Sequence, residues 1–131
     1  PLLLATAEGR LEQALSSLDI QWREASAACV VLASDGYPGP YKSGKVIHGL
    51  VQGDPPAAGG TGAEEGLALF HAGTAFDRSG RIVTAGGRVL GVTAWAQELP
   101  EALQKAYRAV EQIKFEGCYY RRDIGHRALK R

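Results

Sequence analysis

The amino-acid sequence predicts an α+β fold, a small antiparallel β-sheet with flanking helices. Three observations carry the prediction. Leu4, Ala7, Leu11, Ala14 or Leu15, and Leu18 recur at three- and four-residue steps near one end of the chain. Leu103, Ala106, Tyr107, Val110 and Ile113 do the same towards the other end, and both are the stripe of an amphipathic helix. Between them lie short apolar runs whose connections are too short for a crossover helix, so antiparallel pairing is the economical topology.

The elements follow in order. Residues 19–24 are polar around Trp22 and read as a connection. Residues 27–33, centred on Cys-Val-Val-Leu, form a continuous apolar run that predicts a strand buried on both faces. Ser34-Asp35-Gly36-Tyr37-Pro38-Gly39-Pro40-Tyr41 is dense in turn formers and reads as a loop. Residues 46–51 read as a returning strand. Residues 52–66 hold five glycines, two prolines and three alanines, and predict a flexible surface excursion. Residues 67–72 and 82–85 read as strands flanking Asp77-Arg78-Ser79-Gly80-Arg81, a hairpin turn. Gly86-Gly87 interrupts before residues 88–95, a third strand of the same group. Pro100 suits the first turn of the second helix, where its missing N–H costs nothing, and Gly117 falls just past that helix's expected end. The tail from residue 118 mixes aromatic, basic and glycine residues. No internal repeat and no second core is visible.

Bulk properties narrow the function classes. The 131 residues, 45% hydrophobic and 22% charged, suit one domain with a real core. A net charge of +1 predicts no bulk attraction to nucleic acid or to an anionic membrane. Cys29 and Cys118 lie far apart and outside any Cys-x-x-Cys pattern, which predicts two structural thiols in a reducing cytoplasm. Methionine is absent, and Pro1-Leu2-Leu3-Leu4 opens inside an apolar helical pattern without an N-cap residue, so a processed or truncated chain is expected. The opening lacks the basic region of a signal peptide, and no apolar run approaches the ~20 residues that span a bilayer.

Several chemistries lack their residues. His48, His71 and His126 have no ligand spacing with one another or with cysteine, which argues against a zinc site. There is no Gly-x-Ser-x-Gly, and Gly59-Gly60-Thr61-Gly62 has no following Lys-Ser/Thr, so no P-loop is supported. Three segments admit both a structural and a functional reading. The loop 34–44 is either a tight surface loop or a shaped binding segment. Thr84-Ala85-Gly86-Gly87-Arg88 is either a hairpin turn before a solvated arginine or a close backbone approach to a ligand, with Arg88 gripping a carboxylate or phosphate. Tyr119-Tyr120-Arg121-Arg122-Asp123-Ile124-Gly125-His126-Arg127 is either a frayed basic tail or an anion pocket in which Asp123 orients one arginine. One short aromatic and basic cluster is thin support for single-stranded nucleic acid.

In order and at their spacing, these segments resemble the C-terminal domain of the phosphoribosylamine–glycine ligases. Val30-Val31-Leu32-Ala33-Ser34, then Gly36-Tyr37-Pro38-Gly39 and Tyr41, is similar to its opening strand and loop. Phe70-His71-Ala72-Gly73-Thr74 resembles its middle motif, and Thr84-Ala85-Gly86-Gly87-Arg88-Val89-Leu90-Gly91-Val92-Thr93-Ala94 its longest signature. Phe115-Glu116-Gly117, then Tyr120-Arg121-Arg122-Asp123-Ile124-Gly125 with Arg127-Ala128, resembles its ending. The blocks cover most of the chain from residue 28 onward.

The resemblance implies an ATP-grasp ligase of purine synthesis. ATP with Mg2+ (or Mn2+) activates glycine as an acyl phosphate, and 5-phosphoribosylamine displaces phosphate. The nucleotide and metal ligands are implied to lie outside this segment, which has no counterpart of the family's Arg-Phe-Gly-Asp-Pro-Glu stretch. No catalytic residue and no metal ligand falls on it, and alone it is expected to be inactive. Its partners are implied to be the ATP-grasp and N-terminal domains of the same enzyme, with residues 1–25 as the helix and connection leading out of the ATP-grasp part and 26–131 as the C-terminal domain. That domain is implied to be partly barrel-like and to close one side of the substrate cleft. Arg121, Arg122, Gly125 and His126 resemble a phosphate-holding Arg-Lys-x-Gly-His segment of related enzymes, so Arg121 and Arg122 are implied phosphate contacts. Gly86, Gly87 and Arg88 come second, near the ribose or the glycine carboxylate. Residues 52–66 are longer and looser than the family pattern, and Asp35 stands where a small residue is usual. The competing reading is a stand-alone module that binds a phosphoribosyl ligand without catalysis; neither nucleic acid nor membrane is an expected partner.

Overall fold

The computed structural model describes residues 1–50, 60–61 and 66–130. Two short helices, α1 (Leu2–Ala7) and α2 (Leu11–Ser17), precede strand β1 (Ser26–Ser34). Strands β2 (Gly60–Thr61), β3 (Leu67–His71), β4 (Thr74–Phe76), β5 (Ile82–Thr84) and β6 (Arg88–Ala96) follow, then helix α3 (Leu99–Gln112) and strand β7 (Cys118–Tyr119). Five strands form one antiparallel sheet in the order β2-β3-β6-β1-β7, and β4 with β5 forms a separate two-stranded ribbon. The α+β expectation of an antiparallel sheet with flanking helices holds, and the large sheet is not a closed barrel.

The core lies on one face of that sheet. Helix α3 buries Ala106 and Val110 in one cluster with Val30 and Leu32 of β1 and Leu90, Val92 and Ala94 of β6, and Ala102 and Leu103 in a second cluster with Ala28 of β1. Pro100 occupies the first turn of α3, as the sequence predicts. Gly117, with φ +74°, lies beyond the extended Ile113 that ends the helix; it serves the turn into β7 instead of a helix cap.

Four other expectations change. The stripe from Leu4 to Leu18 breaks at Gly9, φ +68°, and Leu3, Leu4, Leu11 and Leu15 stay exposed; an internal glycine weakens a helix, and no described element covers these leucines. Strand β1 is buried on one face for most of its length: Ala28, Val30 and Leu32 point into the core while Ala27, Cys29 and Val31 are exposed, and burial extends to the other face at Ala33. Residues 46–50 contribute two isolated bridges, Val46 to Val83 and His48 to Lys114, instead of a strand; Val51 lies outside the described residues. Asp77 to Arg81 does form a hairpin turn, with Asp77 accepting from the Ser79 and Arg81 amides. Its arms, however, are β4 and β5, while β3 pairs with β6. The expected excursion at 52–66 lies largely outside the described residues; within it Gly60–Thr61 pairs with Leu69 and Ala68.

Candidate functional site

The exposed side of the sheet is the place where the singled-out segments meet. Its floor is Val31 of β1 and Gly91 of β6, which stand opposite one another, with Phe70 of β3 on the far side of Gly91. Val31 and Phe70 are both more than two-fifths exposed.

A β-bulge delivers Arg88 to this floor. Along β1 and β6 the register runs Val31 to Gly91 and Leu32 to Leu90, then steps to Ala33 opposite Arg88. Val89 is the extra residue and is fully buried. Unbroken alternation would set Val89 opposite Ala33 and turn Arg88 inward; the bulge re-aims the side chain. Arg88 lines two adjoining clefts, one of about 600 Å³ with Phe70 and Gly73 and one of about 290 Å³ with Cys29, Tyr119 and Arg121.

The loop after β1 supplies the wall between the clefts. Ser34 donates its amide to the Gly87 carbonyl at 2.8 Å and its hydroxyl to the Gly86 carbonyl at 3.0 Å. Tyr37 follows, lining both clefts with Val31 and Arg88. A Cβ on Gly87 would clash with the edge of the Tyr37 ring, and one on Gly86 would stand 3.0 Å from the Gly73 Cα. Both glycines therefore have a structural reason within the chain: the close approach they permit is that of Tyr37 and of Gly73.

The tail forms the opposite wall. Arg121 donates through Nε and Nη2 to both carboxylate oxygens of Asp123, at 2.9 and 2.8 Å, the fork geometry typical of guanidinium and carboxylate. Those bonds hold the Asp123 carboxyl below the usual carboxylate range. Arg122 turns elsewhere, its guanidinium 5.3 Å from the centre of the Tyr120 ring. The His126 ring is 2.9 Å from the Asp123 carbonyl, and neither Arg122 nor His126 lines the two clefts. Arg88, Gly87 and Arg121 are thus brought together, Gly86 lies just behind, and Arg122 and His126 stand apart.

Two participants were not among the residues picked out from the sequence. The turn-rich sequence places Tyr37 in a loop without marking it further, although an aromatic between glycine and proline signals a ring held at the surface. The helical stripe marks Tyr107 as core packing, but a tyrosine in an apolar stripe also signals a hydroxyl that needs a partner. On another side of the loop, a cleft of about 440 Å³ is lined by Asp35, Lys42, Lys45 and Glu116. There Lys45 pairs with Glu116 at 2.6 Å and holds its carboxyl below the usual range.

The family model described as "Phosphoribosylglycinamide synthetase, C domain" matches residues 27–127. The chain belongs to that family. It is 48% identical over 128 residues to a phosphoribosylamine–glycine ligase of Synechocystis sp., covering 98% of this chain and 27% of the relative. Identity is 50% to the Chlorobaculum tepidum ligase, covering 97% and 27%, and 44% to the chloroplastic ligase of Arabidopsis thaliana, covering 98% and 22%. The crystal structure of the phosphoribosylamine–glycine ligase from Thermotoga maritima is similar with a TM-score of 0.63 and 36% identity, covering 86% of this chain and 26% of that one. The chain thus spans about a quarter of the length of these relatives. The family's matched span begins inside β1 and ends at Arg127, so it contains every residue of the two clefts, whereas α1 and α2 lie outside it.

Proposed function

We propose that this chain forms one wall of the substrate cleft in a phosphoribosylamine–glycine ligase, an ATP-dependent carbon–nitrogen ligase of purine synthesis. The observation that carries the reading is that Arg88 and Arg121, far apart in sequence, line one cleft on the open face of the sheet. Two guanidinium groups over an apolar floor suit a phosphate or carboxylate, which arginine grips with paired N–H donors. In the reaction, glycine takes the γ-phosphoryl group of ATP to give an acyl phosphate and ADP. The amine of 5-phosphoribosylamine then attacks the acyl carbon, a proton is lost from nitrogen and inorganic phosphate leaves. Arg121 and Arg88 hold the ribonucleotide phosphate in this proposal, with Gly86 and Gly87 as the backbone shelf and Arg122 and His126 at the rim.

Among the described residues no three His, Cys, Asp or Glu side chains could hold a metal ion together. The reading keeps ATP with Mg2+ or Mn2+ in the ATP-grasp part of the enzyme and gives this segment no catalytic step. Residues 1–25 are proposed to belong with that part. The exposure of Leu3, Leu4, Leu11, Leu15 and Trp22 supports this, because an apolar patch of that kind calls for a cover. Free thiols at Cys29 and Cys118 suit a reducing compartment such as the cytoplasm.

The test is steady-state kinetics of the full-length ligase. Arg88→Ala and Arg121→Ala are each expected to raise the KM for 5-phosphoribosylamine by roughly 10- to 100-fold, the range for losing a charged hydrogen bond. Arg122→Ala should act more weakly. An unchanged KM in Arg88→Ala or Arg121→Ala would remove that residue from the assignment.

A further inference from the structure

We infer that Tyr107 is a positioning residue for the substrate cleft, acting on it from helix α3 through two backbone groups of the tail. The inference rests on the reading of the cleft given above. The Tyr107 hydroxyl donates to the carbonyl oxygen of Arg121 at 2.9 Å and accepts the amide N–H of Ile124 at 3.1 Å. Arg121 and Ile124 both line the smaller cleft. Between them stands Asp123, whose carboxylate holds the Arg121 guanidinium at both oxygens. One hydroxyl therefore ties down the two ends of the short segment whose middle residue aims the arginine.

Packing alone does not call for that hydroxyl. The Tyr107 ring lies against both buried clusters and 6.4 Å from the Tyr120 ring, centre to centre, and phenylalanine would keep those contacts. The residue that follows the segment also rests on α3: Gly125 has φ +82°, and a Cβ there would stand 2.7 Å from Leu103 Cδ1. The helix is thus the template on which the tail is laid, and Tyr107 is the point where it grips the backbone. A guanidinium at the end of a long side chain loses less freedom on binding when its own backbone is already fixed, so the hydroxyl should act on substrate affinity before anything else.

The experiment is Tyr107→Phe in the full-length ligase, measured beside Arg121→Ala. The KM for 5-phosphoribosylamine is expected to rise about tenfold, as for one or two lost hydrogen bonds. The kcat and the KM values for ATP and glycine should stay within about twofold, because contacts to those substrates are untouched. Hydrogen exchange should show the Ile124 amide losing protection while the amides of α3 keep theirs. If Arg121→Ala raises the KM and Tyr107→Phe does not, the inference is overturned and the reading of the cleft stands. If neither variant raises it, the reading of the cleft falls and takes the inference with it. A drop in kcat with a lower melting temperature and an unchanged KM would make Tyr107 a packing residue only, which also overturns it.

Discussion

Gly87 and the ring of Tyr37 compete for one volume: a Cβ built on the glycine would clash with the ring edge at Cδ2, and the next nearest atom, Cε2, would be 2.7 Å away. Gly87→Ala must therefore displace the ring or the β5–β6 connection. The expected cost is about 1–3 kcal/mol, as for other overpacked sites. Removing the ring should relieve it, so Gly87→Ala with Tyr37→Ala is expected to be less destabilised than the sum of the single variants. Denaturant unfolding of the four proteins measures the coupling.

The sidedness of β1 has its own test. Leu32 is fully buried beneath α3 and Val31, its neighbour, is 42% exposed on the opposite face. Leu32→Ala is expected to cost about 2–5 kcal/mol. Val31→Ala should cost no more than about 1 kcal/mol, since two-fifths of its surface already faces water and no core cavity is left behind. Similar losses at the two positions would mean that the open face is covered.

Ser34 makes a more local point. Its hydroxyl is the side-chain link from the loop to the Gly86 carbonyl, and the residue is buried. Ser34→Ala leaves that carbonyl without this donor and is expected to cost about 1–3 kcal/mol. Thermal unfolding measures it.

Acid should loosen two surface ion pairs. Asp77 is held below its ordinary value first by the Arg81 amide and then by the Arg81 guanidinium, and Asp123 first by the Arg121 side chain. A carboxylate depressed in the folded state adds stability above its unfolded pKa, and that contribution is lost as pH falls through the lower folded value. Asp77→Asn and Asp123→Asn should thus differ most from the parent near neutrality and converge with it in strong acid. Carboxyl chemical shifts should show both groups titrating below the ordinary aspartate range.

The cysteines should separate by reactivity. Burial pushes the Cys118 thiol up to about 11, so little thiolate forms there at neutral pH. Cys29 is exposed on the cleft floor. An alkylating reagent at neutral pH is expected to mark Cys29 first, as peptide mass analysis would show.

Local patterns in the sequence foretold some of this and could not foretell the rest. Helix α3 was legible because its stripe has one period and Pro100 marks its start. The turn at Asp77 to Arg81 was legible for the same local reason, but the arm that pairs with β5 was not, since β3 and β4 are separated only by Ala72-Gly73. Cys29-Val30-Val31-Leu32 reads alike whether one face or two are covered; the answer depends on α3, which packs on one side only. The glycines and arginines of the cleft were visible as candidates. Their meeting was not, because it requires a one-residue slip at Val89, and Val89-Leu90 is equally apolar with or without it.

The order of strands in the sheet has a consequence for synthesis. Strand β1 sits between β6 and β7, and the Ser34 that ends it bonds to Gly86, 52 positions further on. A ribosome making this segment releases its most apolar strand long before either neighbour exists. Contacts so distant along the chain slow folding, and an unpaired apolar strand invites the wrong partners while it waits. Nascent chains halted between β1 and β6 should be the stage at which chaperones hold this protein most tightly.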